Sequence, residues 1–230
     1  MKSFLVNKKS FKSLDNDALS FFETNGFAVV EGVYSQTTLD RSTEELDRLR
    51  GRYAEELEMT IDDYDKRICQ WRDLWMQNTH FNEFLRMNKM IETAKFFLRQ
   101  HSIQLLHDHV IRKPITALNE TVPWHQDFPF WPVDTPNSLS CWIPLEQVEE
   151  NGGCLEVIVG SHLWGASPPV DFMLTPYLDI SSINSSVPSI IDLITCPGIN
   201  FLFLPIVEDN IILSTAPTQS KSSIFIIKAS

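Results

Sequence analysis

The pattern of apolar residues changes near residue 103, and that change limits which folds the chain can reach. Before it, apolar residues recur at helical spacing: Leu14, Leu19, Phe21 and Phe22, then Phe84, Leu85, Met87, Ile91, Ala94, Phe97 and Leu98. After it, short apolar runs are separated by Pro, Gly, Asn and Ser clusters, the pattern of strands joined by turns. Helices first and strands second predict helices packed outside an antiparallel sandwich or barrel. The predicted helices are Leu14 to Asn25, with Ser13 as cap and Gly26 as stop, then Thr37 to Glu58, then Phe81 to Gln100. The predicted strands are Phe27 to Val33, Ile103 to Ile111, Leu139 to Leu145, Cys154 to Val159, Gly198 to Leu204, Asp209 to Leu213 and Ser223 to Lys228. Ile61 to Ile68 is acidic and fits neither pattern. A Ser-, Pro- and Asp-rich stretch, 168–197, reads as a long lid loop. A length of 230 residues suits one domain, 1–230, with a mostly helical flank over 1–102 and the strand-rich core over 103–230.

Charge narrows the partners. Thirty acidic residues against 19 basic ones give a net charge of −11, with no basic stripe. Nucleic acid and anionic membrane surfaces are therefore not expected partners. No stretch has the roughly 20 apolar residues that a membrane span needs, and the N-terminus has no signal-like apolar run. The expected location is the cytoplasm. Cys69, Cys141, Cys154 and Cys196 are widely spaced, which argues against a zinc site; Cys141 and Cys154 read as buried thiols.

The chemistry concentrates in Trp124-His125-Gln126-Asp127-Phe128-Pro129-Phe130-Trp131. On an extended chain residues i and i+2 face the same way, so His125 and Asp127 can grip one divalent metal from a strand end. Iron held by two histidines and a carboxylate keeps positions open for oxygen and a co-substrate. After His125 the chain has one further histidine, His162, in a segment that reads as a turn. Downstream come Trp142-Ile143-Pro144-Leu145, Glu150-Asn151-Gly152-Gly153-Cys154-Leu155-Glu156-Val157-Ile158, and Gly160-Ser161-His162.

In order and spacing these motifs resemble the phytanoyl-CoA dioxygenase family of iron(II)- and 2-oxoglutarate-dependent oxygenases. Phe21 to Val30 resembles that family's opening helix and strand; Leu105 to His109 with Lys113 resembles the strand before its metal motif. The resemblance implies a mainly β fold with flanking helices, a double-stranded β-helix (a jelly roll of cupin type). It implies Fe(II) and 2-oxoglutarate as cofactor and co-substrate, and hydroxylation or a related C–H oxidation of a small molecule, as in a biosynthetic pathway. It implies His125 and Asp127 as iron ligands, Ser140, Trp142 and Trp131 around 2-oxoglutarate, and Lys113 as an anion contact. His162 matches a structural turn histidine.

The last third departs from the family pattern. Pro197-Gly198 and the strand after it match, but the histidine that completes the triad and the arginine that holds 2-oxoglutarate are absent. An ungapped count from Gly198 puts Asp209 at the histidine position and Lys221 near the arginine position. Matching Ser214 to Pro217 instead puts Leu213 at the histidine position. The first alignment is preferred; it gives iron one histidine and two carboxylates, with Lys221 as a point charge without the arginine fork. His107 and His109 share a strand face and are further substitutes for the missing ligand. The alternative is a family member that has lost the 2-oxoglutarate-dependent chemistry and serves as a binding protein or a non-redox enzyme. Halogenation is disfavoured, since Asp127 occupies the place that chloride would need.

Overall fold

The computed structural model describes residues 9–113, 125–132, 137–146, 155, 157–165, 190–191, 199–208 and 222–228. For Lys113 and the last three strands only the backbone is described. In chain order the elements are β1 (Ser10–Phe11), α1 (Asn16–Asn25), β2 (Phe27–Glu31), α2 (Gln36–Glu56), α3 (Ile61–Tyr64), β3 (Cys69–Arg72), α4 (Leu74–Gln77), α5 (Thr79–Leu85) and α6 (Asn88–Leu98). They continue with β4 (Ile103–Leu105), β5 (His109–Lys113), β6 (Ser138–Pro144), β7 (Val157–Ile158), β8 (Ile190–Ile191), β9 (Ile199–Glu208) and β10 (Ser222–Lys228).

Helix ends follow local chemistry. Asp15, not Ser13, caps α1: its Oδ1 accepts from Asp17 N and Ala18 N, and Ser13 donates to the other carboxylate oxygen. A carboxylate outcompetes a hydroxyl there because its charge faces the positive end of the helix dipole. Gly26 ends α1 in the left-handed region at φ 83°, its N–H donating to Phe22 O. The single helix expected over Phe81 to Gln100 is two, α5 and α6, broken at Arg86 and Met87. Tyr34 accounts for the break: its buried O–H donates to Phe84 O, and its ring stacks on Phe84 at 4.1 Å. A helix carbonyl satisfied from outside needs no further turn.

The sheet is mixed, which corrects the antiparallel expectation. Eight strands join in one sheet, in the order β1-β2-β10-β6-β9-β5-β3 with β4 on β9; β7 and β8 pair separately. β10 runs parallel to both β2 and β6, and β1 parallel to β2, whereas β9 is antiparallel to β4, β5 and β6. The N-terminal part is thus more than a helical flank, because β1, β2 and β3 belong to this sheet. The strand expected over Ile103 to Ile111 is two, interrupted at Leu106 to Asp108. Of the stretch read as a lid, only Ile190 and Ile191 are described, as β8; the rest, and the strand expected at Asp209 to Leu213, lie outside the described residues.

β6 positions the site. Every side chain from Ser138 to Ile143 is buried. Leu139, Cys141 and Ile143 enter the main apolar core with Ala18, Tyr34, Phe81, Phe84 and Val110. Ser138, Ser140 and Trp142 alternate with them and so lie on the opposite face. Cys69 and Cys141 are buried free thiols; burial pushes the Cys141 thiol well above its usual range. Cys154 and Cys196 lie outside the described residues.

Asp108 ties the sheet to the helices. Its buried carboxylate accepts from Leu74 N at 3.1 Å and Trp75 N at 3.0 Å, capping α4 from 34 positions away. Its own carbonyl accepts from Asp73 N, and Asp73 is held left-handed at φ 58°. Burial raises the Asp108 pKa to about 6, against the two N–H donors, which lower it. Between pH 4 and 6 the folded chain therefore keeps a proton that the unfolded chain has released. Stability from this group is greatest at low pH and falls as pH rises. We expect wild type to lose on the order of 3 kcal/mol relative to Asp108→Asn between pH 4 and 6, measured by urea unfolding; a pH-independent difference would contradict this. Asp108→Ala, which strands two buried N–H groups, should cost about 2–4 kcal/mol.

Candidate functional site

His125 and Asp127 do meet, though not on a strand. Asp127 has helical backbone angles and opens a single 3-10 turn, Phe128–Phe130, with Phe130 N donating to Asp127 O at 2.9 Å. Pro129 suits that turn, since its missing N–H falls where no helical donor is needed. Phe128 and Trp131 are both buried, 6.5 Å apart between ring centroids, and anchor the segment on either side of the turn. His125 Nε2 lies 3.2 Å from Asp127 Oδ1, and the His125 ring meets Phe130 edge-on at 6.1 Å. Phe130 itself is exposed.

The second oxygen of Asp127 is held by β6. Ser140 Oγ donates to Asp127 Oδ2 at 2.8 Å, and Ser140 is almost wholly buried. Trp142 is two residues along the same face of β6. A fourth link fixes the segment from outside: Gln126 Nε2 donates to Gly165 O at 2.9 Å.

This arrangement fits a divalent metal. Two donors bound at about 2.1 Å and at right angles are separated by about 3.0 Å, close to the 3.2 Å between Nε2 and Oδ1. The serine leaves Oδ1 as the oxygen that faces the histidine, so a metal here would take one oxygen of Asp127. Among the described residues no group of three His, Cys, Asp or Glu side chains forms a metal cluster.

The other expected positions divide three ways. Ser140 bonds Asp127, Trp142 lies two residues along the same face of β6, and Trp131 packs against Phe128. Lys113 ends β5 opposite Ile199, four residues along from His109, roughly 13 Å at the rise of a strand. Asp209, Lys221 and Leu213 lie outside the described residues; β9 ends at Glu208, in register with Ile103. His162 is occupied elsewhere: it is buried, its Nε2 pairs with Glu23 O at 3.0 Å, and a Cβ on Gly26 would sit 2.4 Å from its Nδ1. It locks the turn after β7 to the end of α1, where Gly160 N also donates to Asn25 O.

Sequence reading missed β3, and with it Arg72 and Gln70. Arg72 Nη2 lies 3.4 Å from His107 Nδ1, and Gln70 Oε1 lies 3.0 Å from His109 Nε2. Burial, then the Arg72 charge, lowers the His107 pKa to about 4; burial also lowers that of His109. The signal available was weak, an alternation of buried and exposed positions over only four residues, Cys69 to Arg72.

Residues 22–177, more than half of the chain, match the family Phytanoyl-CoA dioxygenase (PhyH), and the chain belongs to that family. The rat (Rattus norvegicus) protein "Phytanoyl-CoA dioxygenase, peroxisomal" is 27% identical over 178 residues, 70% of this chain and 52% of the relative. Its human (Homo sapiens) counterpart is 24% identical over 179 residues, with the same coverage. The chain thus spans about half the length of the curated relatives it matches. Among solved structures it is similar to EctD from S. alaskensis with 2-oxoglutarate and 5-hydroxyectoine, at a TM-score of 0.63, 17% identity, and 92% and 81% of the two chains. It is also similar to the non-heme alpha ketoglutarate dependent epimerase SnoN from nogalamycin biosynthesis, at a TM-score of 0.58, 12% identity, and 90% and 91%. At these identities the likeness is one of fold. No helix among the described residues is long and apolar enough to cross a membrane.

Removing the serine tests whether Ser140 orients the carboxylate. Ser140→Ala should weaken Mn(II) binding about 10- to 100-fold, as loss of an outer hydrogen bond to a ligand does, with the melting temperature changed little. Unaltered Mn(II) affinity by calorimetry would remove Ser140 from this role.

Proposed function

We propose, from the chain's membership of the phytanoyl-CoA dioxygenase family, that it is an Fe(II)- and 2-oxoglutarate-dependent oxygenase acting on a small molecule. The observation that carries this reading is the convergence of His125 Nε2 and Asp127 Oδ1 at 3.2 Å, with Ser140 fixing the second carboxylate oxygen. His125 and Asp127 would hold iron, and when bound, iron with 2-oxoglutarate supplies the oxidising power for C–H chemistry. The chain's own contribution is to bind and orient. The rings of Phe128 and Trp131 hold the ligand segment in place, and buried Trp142 closes the floor beside Ser140 against water. In this reading the whole chain is one domain of double-stranded β-helix type, located in the cytoplasm, with Asp209 as third ligand and Lys221 as partner of the 2-oxoglutarate carboxylate. Hydroxylation is the expected outcome, and a biosynthetic role the expected setting.

One observation favours a second reading, a family member without 2-oxoglutarate-dependent oxidation. The one histidine after His125 is His162, and its Nε2 and its place against Gly26 commit it to structure. A site short of one imidazole and of the usual arginine would bind metal and co-substrate more weakly.

Anaerobic titration separates the two. The first reading expects Fe(II) to bind at micromolar protein, 2-oxoglutarate to produce a charge-transfer absorption, and succinate to form once a substrate is supplied. His125→Ala and Asp127→Ala should each lower metal affinity by a hundredfold or more, and Asp209→Asn by about tenfold or more. Absence of Fe(II) binding to the wild-type chain would sink the oxygenase reading, and binding unmoved by Asp209→Asn would remove Asp209 alone.

A further inference from the structure

The face of the sheet that carries Ser140 and Trp142 continues away from β6 into a basic corner. The strand register aligns Trp142 with Phe203 on β9, Phe203 with His109 on β5, and His109 with Arg72 on β3. The neighbouring row, Ile143 to Leu202 to Val110 to Trp71, contains the core side chains Ile143, Val110 and Trp71. Arg72, His109 and Gln70 therefore lie on the site face, not on the face beneath the helices. His107 joins them by its contact with Arg72.

We propose that Arg72 and His107 form an oxyanion-binding corner that takes a carboxylate of the substrate, so that the small molecule oxidised here is an acid. The inference rests on the oxygenase reading above for the word substrate; the corner itself rests on geometry. Arg72 is exposed, and among the described residues no carboxylate lies within ion-pair distance of it. Its guanidinium meets an imidazole nitrogen, His107 Nδ1, at 3.4 Å. A neutral His107 that accepts from the guanidinium at Nδ1 carries its proton on Nε2, and so is itself a donor. A guanidinium offers five N–H donors in a planar fork, and one imidazole cannot occupy them. The row from Trp142 through Phe203 and His109 to Arg72 puts the corner on the sheet face where Ser140 holds Asp127.

Distance decides which acid. Three strand spacings of about 4.8 Å, roughly 14 Å, separate the Arg72 backbone from that of Trp142. An arginine side chain covers about half of that span. 2-Oxoglutarate seated against Ser140 and Trp142 would lie at the far end of that span from the Arg72 backbone. The molecule within reach is one that approaches from the β3 and β5 edge, which is the substrate.

The test uses acetate and benzoate as probes on the full chain without metal, following the imidazole resonances of His107 and His109 at matched ionic strength. Saturable shifts are expected in wild type, weakened about tenfold or more in Arg72→Gln and retained within a few-fold in Arg72→Lys. Circular dichroism confirms that the exposed substitution leaves the fold intact. Shifts that do not saturate, or that are equal in wild type and Arg72→Gln, overturn the corner. In the second arm, 2-oxoglutarate is titrated into Mn(II)-loaded chain, and its affinity should differ by no more than about twofold between wild type and Arg72→Gln. A tenfold loss there overturns the assignment to substrate and gives Arg72 to the co-substrate. Failure of Mn(II) to bind wild type would overturn the oxygenase reading while saturable acetate shifts still upheld the corner.

Discussion

β6 is buried on both faces, and the rest of the structure is arranged around that constraint. On a strand covered on both sides a polar side chain without a partner costs stability, as at Ser138, whose buried Oγ has none among the described residues. On the helix side the problem does not arise, because Leu139, Cys141 and Ile143 are apolar and complete a core reaching to α1, α5 and β5. On the other side Ser140 finds its acceptor in Asp127, thirteen residues earlier. One hydrogen bond thus satisfies a buried hydroxyl and fixes the rotation of a carboxylate. The segment from His125 to Trp131 needs such a bond, since it belongs to no strand and is shaped by one 3-10 turn and two buried rings.

What was legible in the sequence was what is encoded locally. His125 and Asp127 are two residues apart in one motif, and their pairing follows from that stretch; the buried anchoring positions of Phe128 and Trp131 do not, since Trp131 reads there as a ring beside 2-oxoglutarate. Gly26 as a helix stop was legible for the same reason, since a left-handed residue is needed there and glycine adopts it at little cost. The errors came from long-range contacts. A tyrosine 50 positions away ends α5, and a carboxylate 34 positions away caps α4. Neither leaves a trace in periodicity. The parallel placement of β10 between β2 and β6 is likewise a matter of which strands meet, and apolar runs carry no direction.

Asp108 shows how one long-range contact shapes the site without touching it. By turning into the helix layer it interrupts the strand that would have run from Ile103 to Ile111. Its neighbours His107 and His109 project to the other side, where they meet Arg72 and Gln70. The cost of burying this carboxylate, visible in its raised pKa, is offset by the α4 amides it accepts from. The polar corner of the site is therefore a consequence of a helix cap on the opposite face of the sheet.

The charge of that corner bears on the ligand that the sequence replaces. A divalent ion held by one aspartate keeps a net positive charge, which attracts an anionic co-substrate. Under the alignment in which Asp209 stands in for a neutral imidazole, the second carboxylate cancels that charge. Binding a dicarboxylate would then build up negative charge in a partly buried place, where it is screened less than in bulk water. Under that alignment Lys221 would supply the compensation, because Arg72, in contact with His107 at the β3 edge, is assigned to the substrate. A point charge such as Lys221 serves the same electrostatic need without fixing orientation. Under that alignment, exchanging an imidazole and an arginine for a carboxylate and a lysine would loosen the hold on the co-substrate, and the planar fork that β3 places at the sheet edge would orient the substrate's acid instead.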